Sequence, residues 1–338
     1  MPVEAFPTIS AAELRRRSVG NLLRMGHCAP TVMQTMLDAS DTEATWLVTL
    51  TAGLPGGIGN TGGECGGLTA PLVLMGLRHG RDETEGGLPV VIDKGHDLLQ
   101  RFTAACGTTQ CRQIRGRARV PLRCIGVVRQ APGMCAQCLV ARGTDAIPPA
   151  TRDAYREQYA HWEERGFHCA DAVLVDLEAT VDAPPELRNA VTAFMGGTLF
   201  TGMTCSALTA GVMALGLAVG QTEDSRPRVL RMIGTMAVGG NGFADELNAF
   251  NRVMNLGHEL ARWFEAEFAS TQCRALTRSD FASATDVREY IERDGASECG
   301  RIADRVAARV AEMLQGLEPA TPPDDTAPNP ATEGRPTP

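Results

Sequence analysis

Aromatic residues are scarce in this chain, at 5% of 338 residues, while alanine, glycine, leucine and methionine are plentiful. That balance disfavours sheets, which draw on aromatic and β-branched side chains, and favours closely packed helices. No stretch approaches the ~18–20 apolar residues a membrane helix needs, which excludes insertion by a helical span. The net charge is −8 and there is no lysine/arginine block, so no electrostatic footprint for nucleic acid is present. The short cluster Arg15 to Arg17 reads as the solvated face of a first helix. The N-terminus lacks the charged-then-apolar order of a signal peptide, and a cytoplasmic protein is predicted. There is no Cys-x-x-Cys-His for covalent haem, no Ser–His–Asp order, no paired-carboxylate motif and no dinucleotide fingerprint. Gly239-Gly240-Asn241-Gly242 lacks the Gly-Lys-Ser/Thr element and a preceding strand, so it reads as a turn rather than a phosphate loop.

What the chain does have is the same cysteine-bearing pattern twice. Residues 56–80 align without a gap on 196–220, with Gly56, Gly57, Thr61, Gly62, Cys65, Leu68, Thr69, Ala70, Gly76, Leu77 and Gly80 each meeting an identical residue. "HCAPTV" at 27–32 meets "HCADAV" at 168–173, and "GHDLLQRFTAACGTTQCR" at 95–112 meets "GHELARWFEAEFASTQCR" at 257–274. Three separated blocks kept in register mean an internal duplication. The fold class it implies is all-α, two related helical repeats packed as a pseudo-two-fold pair. Gly76/Gly216 and Gly80/Gly220 are then expected to mark close packing or the ends of equivalent helices.

The first repeat is assigned to 10–138 and an exposed linker to 139–151. The second repeat is assigned to 152–317, with an insertion at about 222–256, and a disordered Pro/Thr-rich tail to 318–338. Helices are expected over 10–25, begun by Ser10, from about Cys65 to His79, over 91–102, and from near Thr151 through Arg165. Residues 112–150 read as loop and short helix. The insertion reads as a glycine turn followed by a helix (239–253), and the final helix as capped by Ser297.

Eleven cysteines in a reducing compartment point to metal binding or redox chemistry more readily than to a disulfide frame. The second repeat contains four, Cys169, Cys205, Cys273 and Cys299, of which the first, second and last fall at expected helix starts. Unpaired N–H groups and the positive end of the helix dipole there favour a thiolate. Cys205 is thus expected to be a stabilised thiolate with or without metal, and the glycines before it (Gly196, Gly197, Gly202) to allow close approach of a ligand. Four converging thiolates suit an iron–sulfur cluster or tetrahedral zinc, whereas two pairs could cycle between dithiol and disulfide. Cys106 faces Phe268 in the other copy and reads as a core residue.

These residues resemble the family of redox-active proteins named for the pattern C-GCAxxG-C-C. The resemblance covers about 20–130 and 160–315, with Cys205 in "TGMTCSALTAG", Cys65 in "TGGECGGLTAP", Cys111 in "TTQCRQI", Cys273 in "STQCRAL" and Cys299 in "ECGRIADRVAARV". It implies a cofactor-binding set of Cys28, Cys65, Cys111 and Cys124 in the first copy and Cys169, Cys205, Cys273 and Cys299 in the second. The fourth cysteine of the first copy is open between Cys124, set in "RCIGVVRQA", and Cys138, whose spacing from Cys111 matches the second copy better. The chain departs from the strict pattern at Glu64 and Thr204, where a glycine precedes the cysteine, and at Ala70 and Ala210. A similar domain accompanies haem in split-Soret cytochromes, which favours iron–sulfur ligation over zinc or no metal.

Three further groups are candidates. His96 and His258, at equivalent places, are weak metal-ligand candidates against a helix-packing role. His27 and His168 each precede the first cysteine and could stabilise its thiolate. Cys135-Ala-Gln-Cys138 is a lone Cys-x-x-Cys without a thioredoxin context. The functional expectation is an iron–sulfur or other metal-bound protein for electron transfer, or an oxidoreductase component, working with a redox partner protein. The alternatives are a metal-free thiol–disulfide oxidoreductase, with Cys65 and Cys205 as the redox cysteines, and a zinc-binding or structural accessory protein. One shared centre and one per repeat are both open.

Overall fold

The computed structural model describes residues 9–80, 87–116, 122–141 and 146–317. Ser10 accepts a hydrogen bond from the Glu13 N–H and starts α1 (Ala11–Met25), which Gly26 ends at a φ of 76°. The first repeat continues with α2 (Cys28–Ser40), α3 (Thr45–Thr51), α4 (Gly66–His79), α5 (Gly87–Cys106), α6 (Cys111–Arg115) and α7 (Leu122–Val140). The second runs through α8 (Pro149–Glu164), α9 (Cys169–Asp176), α10 (Leu187–Ala190), α11 (Ser206–Val219), α12 (Arg226–Ala237), α13 (Asn251–Phe268), α14 (Cys273–Thr277), α15 (Ala284–Glu292) and α16 (Gly295–Gln315). The described residues are all-α, with only two isolated bridges, Glu64 to Gln110 and Thr204 to Gln272, at equivalent places. None of the described helices is long and apolar enough to cross a membrane.

The two repeats grip each other reciprocally. In α4, a Cβ on Gly76 would stand 2.6 Å from the Asn189 carbonyl oxygen of α10; in α11, a Cβ on Gly216 would stand 2.3 Å from the Thr49 oxygen of α3. Asn189 and Thr49 are themselves equivalent positions, so the same contact is made twice about a pseudo-two-fold axis. One apolar core runs through both halves, from Val32, Leu68 and Leu72 to Leu208, Val212 and Leu215. A smaller core, mostly of the second repeat but joined by Leu88 and Ile92 of α5, gathers aromatic side chains around Trp162, Phe200, Phe281 and Tyr290.

Several local expectations are corrected. Residues 122–140 form a continuous helix rather than loop, because Val127, Val128, Ala131, Cys135 and Cys138 supply a buried stripe at helical spacing. Within the stretch assigned as an exposed linker, Val140 and residues 148–150 are exposed, while Leu139 and Ile147 are buried, Ile147 against the aromatic core. The helix of the insertion, α12, precedes the glycine turn rather than following it, and Ser225 caps it at the Arg228 N–H. After Gly239 come a 3-10 turn at Asp245–Leu247 and then α13. The last helix begins at Gly295, so Ser297 lies inside it and bonds to Asp294. The tail assigned to 318–338 lies outside the described residues.

Candidate functional site

Each repeat delivers four cysteines to one place from four different elements. In the first, Cys28 is the first residue of α2, Cys65 precedes α4, Cys111 opens α6 and Cys124 is the third residue of α7. In the second, Cys169 opens α9, Cys205 precedes α11, Cys273 opens α14 and Cys299 lies one turn inside α16. Cys299 is therefore not at a helix start, contrary to expectation.

The backbone brings the second and third cysteines together by the same device twice. Cys65 donates its N–H to the Thr109 carbonyl (2.8 Å), and Cys111 to that of Gly63 (2.7 Å); Cys205 donates to Thr271 (2.8 Å), and Cys273 to Met203 (2.7 Å). Just ahead lies a turn of left-handed backbone, Gly56 to Asn60 and Gly196 to Phe200, with positive φ throughout. Such a conformation costs non-glycine residues about 1–2 kcal/mol each. It places the Gly56 and Gly196 backbones within hydrogen-bonding reach of the Cys28 and Cys169 sulfurs. The glycines expected to admit a ligand instead admit the protein itself: a Cβ on Gly197 would meet the Cys273 Cβ at 2.6 Å, and one on Gly202 the Arg274 Cβ at 2.9 Å.

The thiols in each set are close enough that ionising one raises the pKa of others. Burial first, then Cys111 and Cys124, push Cys28 up to about 12, and Cys111 rises to about 11 through burial and Cys124. Cys65 is raised well above its usual value by burial, with Cys28, Cys111 and Cys124 adding to it. In the second repeat burial raises Cys169, Cys205 and Cys273, with neighbouring thiols adding to the shift at Cys169 and Cys273. Cys299 reaches about 12 by burial, against a hydrogen bond from the Tyr290 hydroxyl at 3.2 Å. The expectation of a thiolate at Cys205 independent of metal is thus corrected. Backbone N–H groups of Ala207 and Leu208 do favour the anion, but desolvation outweighs them.

A cavity of about 20 Å³ lies among Cys169, Cys205, Cys273 and Cys299, with Leu276, Thr277 and Ile302 along its wall. It holds about one water-sized body. A tetrahedral zinc with bonds of about 2.3 Å needs its four sulfurs within about 3.8 Å of each other. Among the described residues no group of three or more His, Cys, Asp or Glu side chains is placed to hold a metal ion as it stands. Four thiols per repeat are a donor set that zinc and iron–sulfur clusters share, and a cluster of several iron atoms spans more widely spaced sulfurs than a single zinc ion.

Cys124, not Cys138, completes the first set. Cys138 lies 14 residues further along α7, about 21 Å away at 1.5 Å per residue. Cys135 and Cys138 sit in the core, where the Cys138 thiol donates to Asp97 at 3.4 Å and Lys94 caps the helix end at the Cys138, Leu139 and Ala141 carbonyls. Cys106 ends α5 at the margin of the main core. His96 and His258 lie apart from both sets. His96 Nε2 bonds Leu199 O (2.9 Å) and His258 Nδ1 bonds Gly59 O (3.2 Å), so each histidine holds the left-handed turn of the other repeat. His27 is buried between Phe243 and Phe250 and paired with Asn251, and burial lowers its pKa to about 4. It therefore brings no positive charge to Cys28 at neutral pH. His168 accepts the Asp171 N–H and caps α9.

The model of the family described as "Putative redox-active protein (C_GCAxxG_C_C)" matches residues 26–139 and again 167–313. The chain belongs to this family. It is a tandem member, with one family unit in each repeat. No curated protein and no solved structure matches the chain.

Glu64 carried no functional signal in the sequence beyond its departure from the family glycine. It is fully buried and accepts hydrogen bonds from the Thr204 N–H (2.8 Å) and hydroxyl. The signal available was that two departures fall at the same position of both repeats, one an acceptor and the other a donor.

Proposed function

We propose that each repeat holds one thiolate-ligated iron–sulfur cluster, and that this family member transfers electrons or serves as the electron-carrying component of an oxidoreductase. The observation that carries this reading is the convergence of four cysteines from four elements, repeated without exchange of residues between the halves. Cys28, Cys65, Cys111 and Cys124 would hold one cluster and Cys169, Cys205, Cys273 and Cys299 the other. The bound cluster supplies one-electron redox chemistry and the positive charge that makes four neighbouring thiolates tolerable. The chain's own part is to position the sulfurs and exclude water. The bonds Cys65–Thr109 and Cys111–Gly63 would fix two ligands in the first repeat, Cys205–Thr271 and Cys273–Met203 two in the second, and Tyr290 donates to Cys299. On the open side, Leu276 and Ile302 are only partly packed, so the cavity can widen there. A cytoplasmic setting, where thiols stay reduced, accords with eleven free cysteines.

A second reading, metal-free thiol–disulfide exchange within each set, is favoured by the small size of the second cavity. Against it, the proposed redox cysteines Cys65 and Cys205 are only 3% and 8% exposed, out of reach of a protein disulfide. Anaerobic purification with iron and acid-labile sulfide analysis separates the two. Brown protein with both elements is the expected result. Colourless protein without iron, in which Cys205 alkylates rapidly, would establish the thiol reading instead.

A further inference from the structure

The stretches of chain that carry the third and fourth cysteines differ in charge between the two repeats. Residues 98–144, which carry Cys111 and Cys124, contain eight arginines, no lysine and no acidic residue, in a chain whose net charge is −8. In the second repeat the stretch from Leu260, the counterpart of Leu98, to Arg301 has six arginines against eight acidic residues. Around the first centre Arg112 and Arg123 are exposed, and Arg115 lies near enough to act on both Cys111 and Cys124. The Arg115 guanidinium is held 5.3 Å over the Phe243 ring, which the insertion of the second repeat contributes.

The same face exposes apolar surface where a soluble helix would ordinarily be polar. Leu122 is 69% exposed and Ile125 37%, and with the exposed Arg129 they follow one stripe of α7. Cys124 lies between Leu122 and Ile125 and is itself partly exposed. Cys28 of the same set is also partly exposed, whereas at the second centre only Cys299 is, there accepting a hydrogen bond from Tyr290, with Cys169, Cys205 and Cys273 buried. An apolar patch rimmed by one sign of charge, set over the more open of two redox centres, has the anatomy of a protein interface. The rim selects a partner of opposite charge and speeds its encounter.

We propose that this face, built from Leu122, Arg123, Ile125 and Arg129 with Arg112 and Arg115 beside it, docks an acidic one-electron carrier protein at the first centre. The site rests on charge and exposure; that the partner carries electrons rests on the cluster reading above. In the forward direction one electron leaves the reduced carrier and one enters the first centre, so the carrier ends one electron more oxidised and no bond is made or broken. The exposed leucine and isoleucine argue for a protein over a nucleic acid, whose backbone would be met by arginine alone.

The test uses the full-length, anaerobically purified protein, with a flavodoxin and a plant-type ferredoxin, both acidic carriers, as probes. Saturable binding is expected for at least one of them, weakening about ten-fold or more between about 50 mM and about 300 mM salt. Leu122→Glu combined with Arg123→Glu should weaken it a further ten-fold or so, with unchanged circular dichroism, because both side chains are exposed. Arg301→Glu, exposed at the second repeat, should change it by less than about two-fold. Absence of binding by either carrier, or binding indifferent to Leu122 and Arg123, overturns the proposal. So does a single-stranded oligonucleotide that binds more tightly through the same residues. Iron and sulfide measured on the same samples keep the two claims apart. Carrier binding without iron upholds the surface and sinks the cluster, whereas iron without carrier binding does the reverse.

Discussion

Glu64 and Thr204 occupy the same position in their respective repeats and are hydrogen-bonded to each other. The pseudo-two-fold axis therefore passes between them, and each immediately precedes a centre cysteine, Cys65 or Cys205. The symmetry is broken where it matters: a carboxylate faces a hydroxyl and an N–H rather than a second carboxylate. Burial raises the pKa of Glu64 above the usual 4.5, more than the bonds from Thr204 lower it.

That shift fixes a pH dependence. The folded state holds the proton more tightly than the unfolded chain, so this group's contribution to stability is full below pH 4.5 and declines as the pH climbs through the folded-state pKa. Glu64→Gln keeps an acceptor for the Thr204 N–H and a donor for its hydroxyl. It should remove that decline and leave the variant at least as stable as the parent at pH 8. Glu64→Ala strands a buried N–H and should cost about 1–3 kcal/mol at any pH. Urea denaturation at pH 5 and pH 8 measures both.

Gly76→Ala and Gly216→Ala should each destabilise the protein by about 1–3 kcal/mol through overpacking. Neither added methyl has a flexible neighbour to displace, since each meets backbone carbonyl oxygen, at Asn189 and Thr49 respectively. A thermal melt unchanged in either variant would contradict the interface geometry.

Under the proposed function, Cys124→Ala should remove about half of the iron and sulfide per chain, and Cys299→Ala the other half. Cys138→Ala should leave the metal content intact and lower stability only, since Cys138 belongs to the core. Complete loss of iron from either single variant would mean one shared cluster instead of two.

His96→Ala and His258→Ala should cost about 1 kcal/mol each, the loss of one hydrogen bond across the repeats, without changing iron content. Metal loss in step with His258 would reinstate it as a ligand.

The sequence made the architecture legible because the duplication is strong where packing is tightest. The glycines that recur, Gly76 with Gly216 and Gly57 with Gly197, are those where a side chain has no room. The grouping of cysteines was also readable, since repetition substituted for a local motif. What was hidden depended on three-dimensional context. Cys138 had the better spacing, but the second repeat carries the extra helix α15 between its third and fourth cysteines, so equal spacing did not mean equal place. Burial reversed the expected ionisation of Cys205, and His96 and His258 turned out to pin the opposite repeat. Glu64 looked like erosion of a motif because its partner is 140 residues away.

The reciprocal seating of α4 on α10 and α11 on α3 bears on how such a chain can be dissected. Cutting between α7 and α8 would not release two modules, because each half would lay bare the groove its counterpart filled. A first repeat made alone would have to recruit a second copy of itself, bringing two Glu64 side chains face to face at the dyad. In the single polypeptide that conflict does not arise, because one of the two positions is threonine and the other glutamate. The tether thus permits an asymmetry that a homodimer is denied, and the two cysteine sets need not match in exposure or in the charge around them.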